Sequence, residues 1–210
     1  MKLRINPFNA TLAAVLTLAF VPSAFAATIA LTNGSLESSS AAPWTGIGYG
    51  AVTFTGWSIS GPVGVGPVAH DGSQGLWSGW GAGWCGLAQN STYTVGAAGE
   101  TLSAFVWAKT DANATFGSWF RVELQLNGSM ATANQTHFSV GTDWTQITTS
   151  YVTTTADIGK TVGISFGTDG GVGGNPSYSY MDNAGLSVVP EPAAAMLGGI
   201  GMLCLLRRRR

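Results

Sequence analysis

The run Phe120-Arg121-Val122-Glu123-Leu124-Gln125-Leu126-Asn127-Gly128 decides the fold. Apolar residues fall at every second position with charged or polar ones between, the period of a strand that buries one face and wets the other. Asn127-Gly128 directly after it is a strong hairpin-turn signal. Working outward, Trp144–Thr155 is rich in Thr and β-branched residues, with Ile147, Thr149 and Tyr151 sharing a face. Val162, Ile164 and Phe166 alternate again, and Gly167–Pro176 reads as a long Gly-rich loop. Tyr178–Val188 closes the body, while Leu102–Ala108 is almost wholly apolar, as expected of a central strand buried on both faces. Many short strands punctuated by Gly and Asn, with no amphipathic helical period, predict an all-β jelly-roll sandwich.

Composition agrees. The 210 residues include 30 Gly and 8 Trp but only 9% charged residues, so the strong helix formers Lys, Arg and Glu are scarce and a helical bundle is excluded. Ten per cent aromatic content also excludes a disordered chain, which needs high charge and few rings. The basic residues gather at the ends. Between Ala27 and Val189 only Lys109, Arg121 and Lys160 stand against nine acids, a net charge of −6 that argues against nucleic-acid binding.

Both ends read as addresses. Lys2 and Arg4, the apolar run Leu12–Val21 and the small-x-small pattern Ala24-Phe25-Ala26 predict a secretory signal peptide over residues 1–26, removed by signal peptidase. At the other end Pro190-Glu191-Pro192 precedes the uncharged Ala193–Leu206, followed by Arg207, Arg208, Arg209 and Arg210. Fourteen residues of helix reach about 21 Å, short of a hydrocarbon core of about 30 Å, so this hydrophobic helix predicts a marginal membrane anchor. Residues 189–210 resemble the PEP-CTERM sorting signal. That resemblance implies an exosortase as partner, export across the inner membrane of a Gram-negative bacterium, and a cell-surface or extracellular destination among exopolysaccharide. Cys204 lies in the tail, which leaves Cys85 alone in the body and no disulfide within it.

The body, residues 27–188, resembles carbohydrate-binding modules with a galactose-binding-like jelly roll. Asn33-Gly34-Ser35-Leu36-Glu37, Phe54-Thr55-Gly56-Trp57, His70-Asp71-Gly72-Ser73 and Tyr180-Met181-Asp182-Asn183 occur in that family's order. The resemblance implies a structural calcium near the meeting of the first and last strands, with Glu37, Asp71 and Asp182 as its carboxylates. A sugar platform is expected at Trp77, Trp80 and Trp84, interleaved with Gly79, Gly81 and Gly83, with Gln89 and Asn90 to bond hydroxyls. Core packing is the competing reading of those rings. Trp119 and Tyr49 are further aromatic candidates.

No catalytic residue is selected. His70 and His137 are the two histidines, no Gly-x-Ser-x-Gly or His-Glu-x-x-His occurs, and Asp169 is the acid to examine first. The expected function is a non-catalytic, glycan-binding protein of the extracellular matrix. A small polysaccharide hydrolase and a structural envelope protein without ligand are the alternatives.

Overall fold

A computed structural model describes residues 26–41, 52–78, 84–111, 119–131, 137–169 and 179–190. Twelve strands lie among them in chain order: β1 Ala27–Ile29, β2 Ser58–Ser60, β3 Val63–Gly66, β4 Gly75–Ser78, β5 Trp84–Thr94 and β6 Thr101–Thr110. They continue as β7 Trp119–Leu126, β8 Ser129–Met130, β9 His137–Ser139, β10 Thr145–Val152, β11 Thr161–Asp169 and β12 Ser179–Val189. One sheet runs β10-β6-β12-β4-β3 with β1 also on β12; the other runs β2-β5-β11-β7-β8 with β9 also on β7. Every pairing is antiparallel. This is the expected jelly-roll sandwich. The signal helix and the hydrophobic tail helix lie outside the described residues.

Alternation builds the core. Leu102, Ala104, Val106 and Ala108 of β6 face Phe120, Val122, Leu124 and Leu126 of β7 and Val162, Ile164 and Phe166 of β11 in one buried cluster. Trp57 meets Phe166 edge to face, with ring centroids 5.1 Å apart. Cys85 is buried in the same cluster. Asn127 and Gly128 both have positive φ (52° and 76°), the geometry of a type I′ turn between β7 and β8.

Three expectations change. Gly167 to Asp169 extend β11 instead of opening a loop, because they pair with both β5 and β7. The strand over Leu102–Ala108 is fully buried on one face only; Phe105 and Trp107 stand half-buried on the other. Conversely, the polar face of β7 is not wet, since Arg121 and Glu123 keep only 7% and 8% of their exposure.

Buried polar groups are tied down. Asp157, in the short 3-10 turn Thr155–Asp157, accepts from Tyr151 Oη (2.7 Å), Thr154 N (2.9 Å), Thr154 Oγ1 (2.6 Å) and Lys160 Nζ (2.8 Å). The Lys160 ammonium, together with the Thr154 and Tyr151 donors, holds its carboxyl well below the usual range. A depressed folded-state pKa stabilises above the ordinary carboxylate value and is lost as pH falls below it. Asp157→Asn is therefore expected to destabilise the fold by about 1.5–3 kcal/mol at neutral pH. In thermal melts across pH, the gap to the parent chain should close on acidification.

Candidate functional site

On the side of the second sheet turned away from the core, side-chain size makes a furrow in height along the central strand, with its floor at Gly163, Ser165 and Gly167 buried. Register places Gly86 beside Gly167 and then Arg121, Ala88 beside Ser165 and then Glu123, and Asn90 beside Gly163 and then Gln125. Over Gly163, Ser165 and Gly167 the central strand β11 thus presents nothing larger than Ser to this face, before Asp169 ends it. A Cβ on Gly86 would lie 2.3 Å from Phe166 O and 2.9 Å from Trp84 Cζ2, so only glycine lets the indole lie over the strand there. Trp84 is half-buried, and the Arg121 guanidinium stacks on its ring at 3.9 Å from the centroid. Arg121 Nε in turn bridges to Glu123 Oε1 at 2.8 Å. Away from solvent such a cation–ring contact is worth about 2 kcal/mol, and the paired charges fix the indole in place.

Trp119 opens β7 on the same face and is 49% exposed. It lies in one row with Trp84, each opposite Asp169 of the strand between them. Two strand spacings, about 10 Å, separate the two backbones. At the other end of the furrow a cavity of about 320 Å³ lies among Gly56, Ser58, Ala88, Asn90, Gln125 and Gly128. Apolar rings at one end and neutral hydrogen-bonding groups at the other make a surface suited to a polyhydroxylated ring.

The structure separates the expected platform. Trp77 lies in β4 of the first sheet, 3% exposed, and so offers no open face. Trp84 lies in β5 of the second sheet because the chain crosses between sheets after Ser78; Trp80 falls outside the described residues. Gln89 is committed internally, accepting from Thr32 N and donating to Thr32 O and Gly56 O, whereas Asn90 is exposed. Sequence reading missed Arg121 and Glu123 as part of the site, since their alternation looked like an ordinary solvated face.

The expected metal carboxylates act as anchors for one loop. Glu37 Oε1 accepts from Ser73 N (3.0 Å) and Gln74 N (3.2 Å), and Oε2 from Ser73 Oγ (2.7 Å). Asp182 Oδ2 accepts from His70 N (2.9 Å) and Asp71 N (3.1 Å), and Oδ1 from Asn183 N (2.7 Å). Asp71 is exposed, its Oδ1 accepting from Gly72 N. Burial pushes the Asp182 carboxyl up to about 6; the three backbone donors oppose this and the nearby Glu37 charge adds to it. Among the described residues no three His, Cys, Asp or Glu side chains converge as a metal site would need.

The four sequence motifs nevertheless meet. Trp57 Nε1 donates to Asn33 O (3.0 Å), Ala184 N to Gly34 O (2.9 Å) and Gln74 Nε2 to Leu36 O (2.9 Å). Residues 188–210, beginning within β12, match the model of the PEP-CTERM protein-sorting motif. The chain carries a PEP-CTERM sorting motif. The motif implies processing by an exosortase and an extracellular or surface destination. Of that span Val188, Val189 and Pro190 are described; Glu191, Pro192 and Arg207 to Arg210 lie outside, as does Ala24 of the signal pattern.

Among solved structures the chain is similar to a cyclase from Fischerella sp. TAU, with TM-score 0.63 and 18% identity over 80% of this chain and 99% of that one. It is also similar to a Stig cyclase from Fischerella sp. TAU in complex with (3Z)-3-(1-methyl-2-pyrrolidinylidene)-3H-indole, with TM-score 0.61 and 18% identity over 80% and 100%. The CBM22-1 xylan-binding domain of Paenibacillus barcinonensis Xyn10C aligns with TM-score 0.43 and 15% identity over 71% and 98%. At this identity the two cyclases show the shared fold alone, and one fold hosts many functions. No curated protein matches the chain.

Proposed function

We propose that this protein is a non-catalytic glycan-binding component of the extracellular matrix of a Gram-negative bacterium. Its tail anchors it transiently until exosortase releases it among exopolysaccharide. The observation that carries the binding reading is the row Trp84–Asp169–Trp119 above a furrow floored by Gly and Ser. Sugar C–H faces pack on aromatic rings, and Asn90, Gln125 and Ser58 supply neutral donors and acceptors for hydroxyls. The non-catalytic reading is supported by how the acids are used. Glu37, Glu100, Glu123, Asp157 and Asp182 each hold a backbone, a hydroxyl or a cation of the fold itself.

Affinity electrophoresis of the full chain through gels containing xylan, mixed-linkage β-glucan, galactomannan or alginate tests the furrow. At least one gel should retard the parent chain. Trp119→Ala should weaken that retardation about tenfold, roughly 1.4 kcal/mol, with a nearly unchanged melting temperature because Trp119 is exposed. Unchanged retardation in that variant would remove the furrow from consideration.

Calcium is tested separately. The backbone N–H groups already satisfy Glu37 and Asp182, so millimolar calcium or excess EDTA is expected to leave the melting midpoint unchanged. A rise of several degrees with calcium would show that a metal completes the tie.

A further inference from the structure

The outward face of the first sheet carries a second cleft, built by a defect in its central ladder. Asp182 of β12 pairs with Trp107 of β6, yet the next pair on that ladder is Gly185 with Phe105. Three steps of β12 therefore span two of β6, leaving one extra residue in a bulge. Asn183 within it has φ 48°, a left-handed conformation uncommon for a non-glycine residue. The Phe105 ring lies over Gly185, where a Cβ would come within 2.4 Å of it. Bulges of this kind re-aim side chains beside functional sites, and strain in them is retained where the surroundings over-determine it.

A cavity of about 540 Å³ opens over the bulge, within the range of small-molecule sites. Phe105 and Trp107 supply its rings; Thr28, Ser35, Gln146 and Asn183 supply hydroxyls and amides. Among the described residues no charged side chain lines it. The rings are braced from behind. His70 stacks on Trp107 at 4.0 Å between centroids and 15° between planes, and Trp144 meets His70 edge-on at 5.6 Å. Asn183 Nδ2 donates to His70 Nδ1 (3.2 Å), and Asp182 holds the His70 and Asp71 amides from below. The Trp107 ring is thus held before any ligand arrives, which lowers the ordering cost of binding.

We propose that this cleft is a second carbohydrate site, selective for neutral sugars. Flat apolar faces beside uncharged donors and acceptors match a pyranose ring with its hydroxyls, and no cation among the described lining residues favours an acidic sugar. The inference rests on the glycan-binding reading of the furrow in one respect. With sites on the outer faces of two stacked sheets, about 10 Å apart face to face, one stretch of polysaccharide cannot lie in both. The domain is then bivalent and cross-links separate glycan chains.

The test uses the full chain in a non-glycosidic detergent, with soluble galactomannan and mixed-linkage β-glucan as neutral probes and alginate as the acidic one. Gln146 is exposed, so Gln146→Ala perturbs the cleft without touching the core; Trp107→Phe keeps a ring but removes the indole. The parent chain should raise the turbidity of a neutral polysaccharide, with an optimum in protein-to-glycan ratio. Gln146→Ala, Trp107→Phe or Trp119→Ala should each abolish that turbidity while retaining retardation in the same gel at about tenfold weaker strength. Retardation without turbidity in the parent chain, or full turbidity in both cleft variants, overturns the inference. If Trp119→Ala changes nothing while the cleft variants abolish retardation, the furrow fails and the cleft stands alone. If Trp119→Ala abolishes all retardation, the cleft fails and the furrow stands.

Discussion

On the outer faces of this sandwich two flat rings lie against the sheet where the residue beneath has no Cβ. Gly86 makes that space for the Trp84 indole on one sheet, and Gly185 makes it for the Phe105 ring on the other. Both glycines also sit where strands or side chains approach too closely for any other residue. A chain rich in Gly loses more conformational entropy on folding, and the two cross-packed β faces recover it through Leu, Val, Ile and Phe at zero to two per cent exposure. Large rings that the core does not need are then free to serve the outer faces.

With so few charges, several of those within the described body work as fasteners. Asp182 and Glu37 grip the two ends of the His70–Gln74 loop through backbone N–H groups. That loop positions His70 against Trp107 and so connects the buried tie to the outer face. Arg121 and Glu123 do the equivalent on the second sheet, fixing Trp84 by stacking and pairing. The same economy favours neutral, ring-shaped ligands over charged ones, because the surface has little formal charge left to offer them.

The strands were legible because alternation has period two and the Asn127-Gly128 turn demands positive φ at both positions. The jelly roll follows from the same local signals, whereas the meeting of the four short motifs was implied only by the resemblance that they carry. The sites were less legible. Trp77 and Trp84 are seven positions apart, yet the chain changes sheet between them, and nothing in Gly-rich sequence marks that crossing. Arg121 and Glu123 looked like a solvated face because alternation reports which residues avoid the core, not whether something else covers them. Phe105 and Trp107 looked like half of a doubly buried strand because an apolar run does not distinguish a second core from an aromatic surface. The one-residue bulge at Asn183 and Ala184 had no signal beyond the Asn and Gly that permit it.

Indole N–H resonances give the most direct measurement of whether glycine-supported rings on the outer faces are the binding surfaces. In the full chain, titration with an oligosaccharide cut from a retarding neutral polysaccharide should shift the Trp84, Trp107 and Trp119 indole signals. Those of Trp57 and Trp77, at 8% and 3% exposure, should stay in place. Shifts confined to Trp57 and Trp77, or no shift at any saturating concentration, would contradict the reading of both faces.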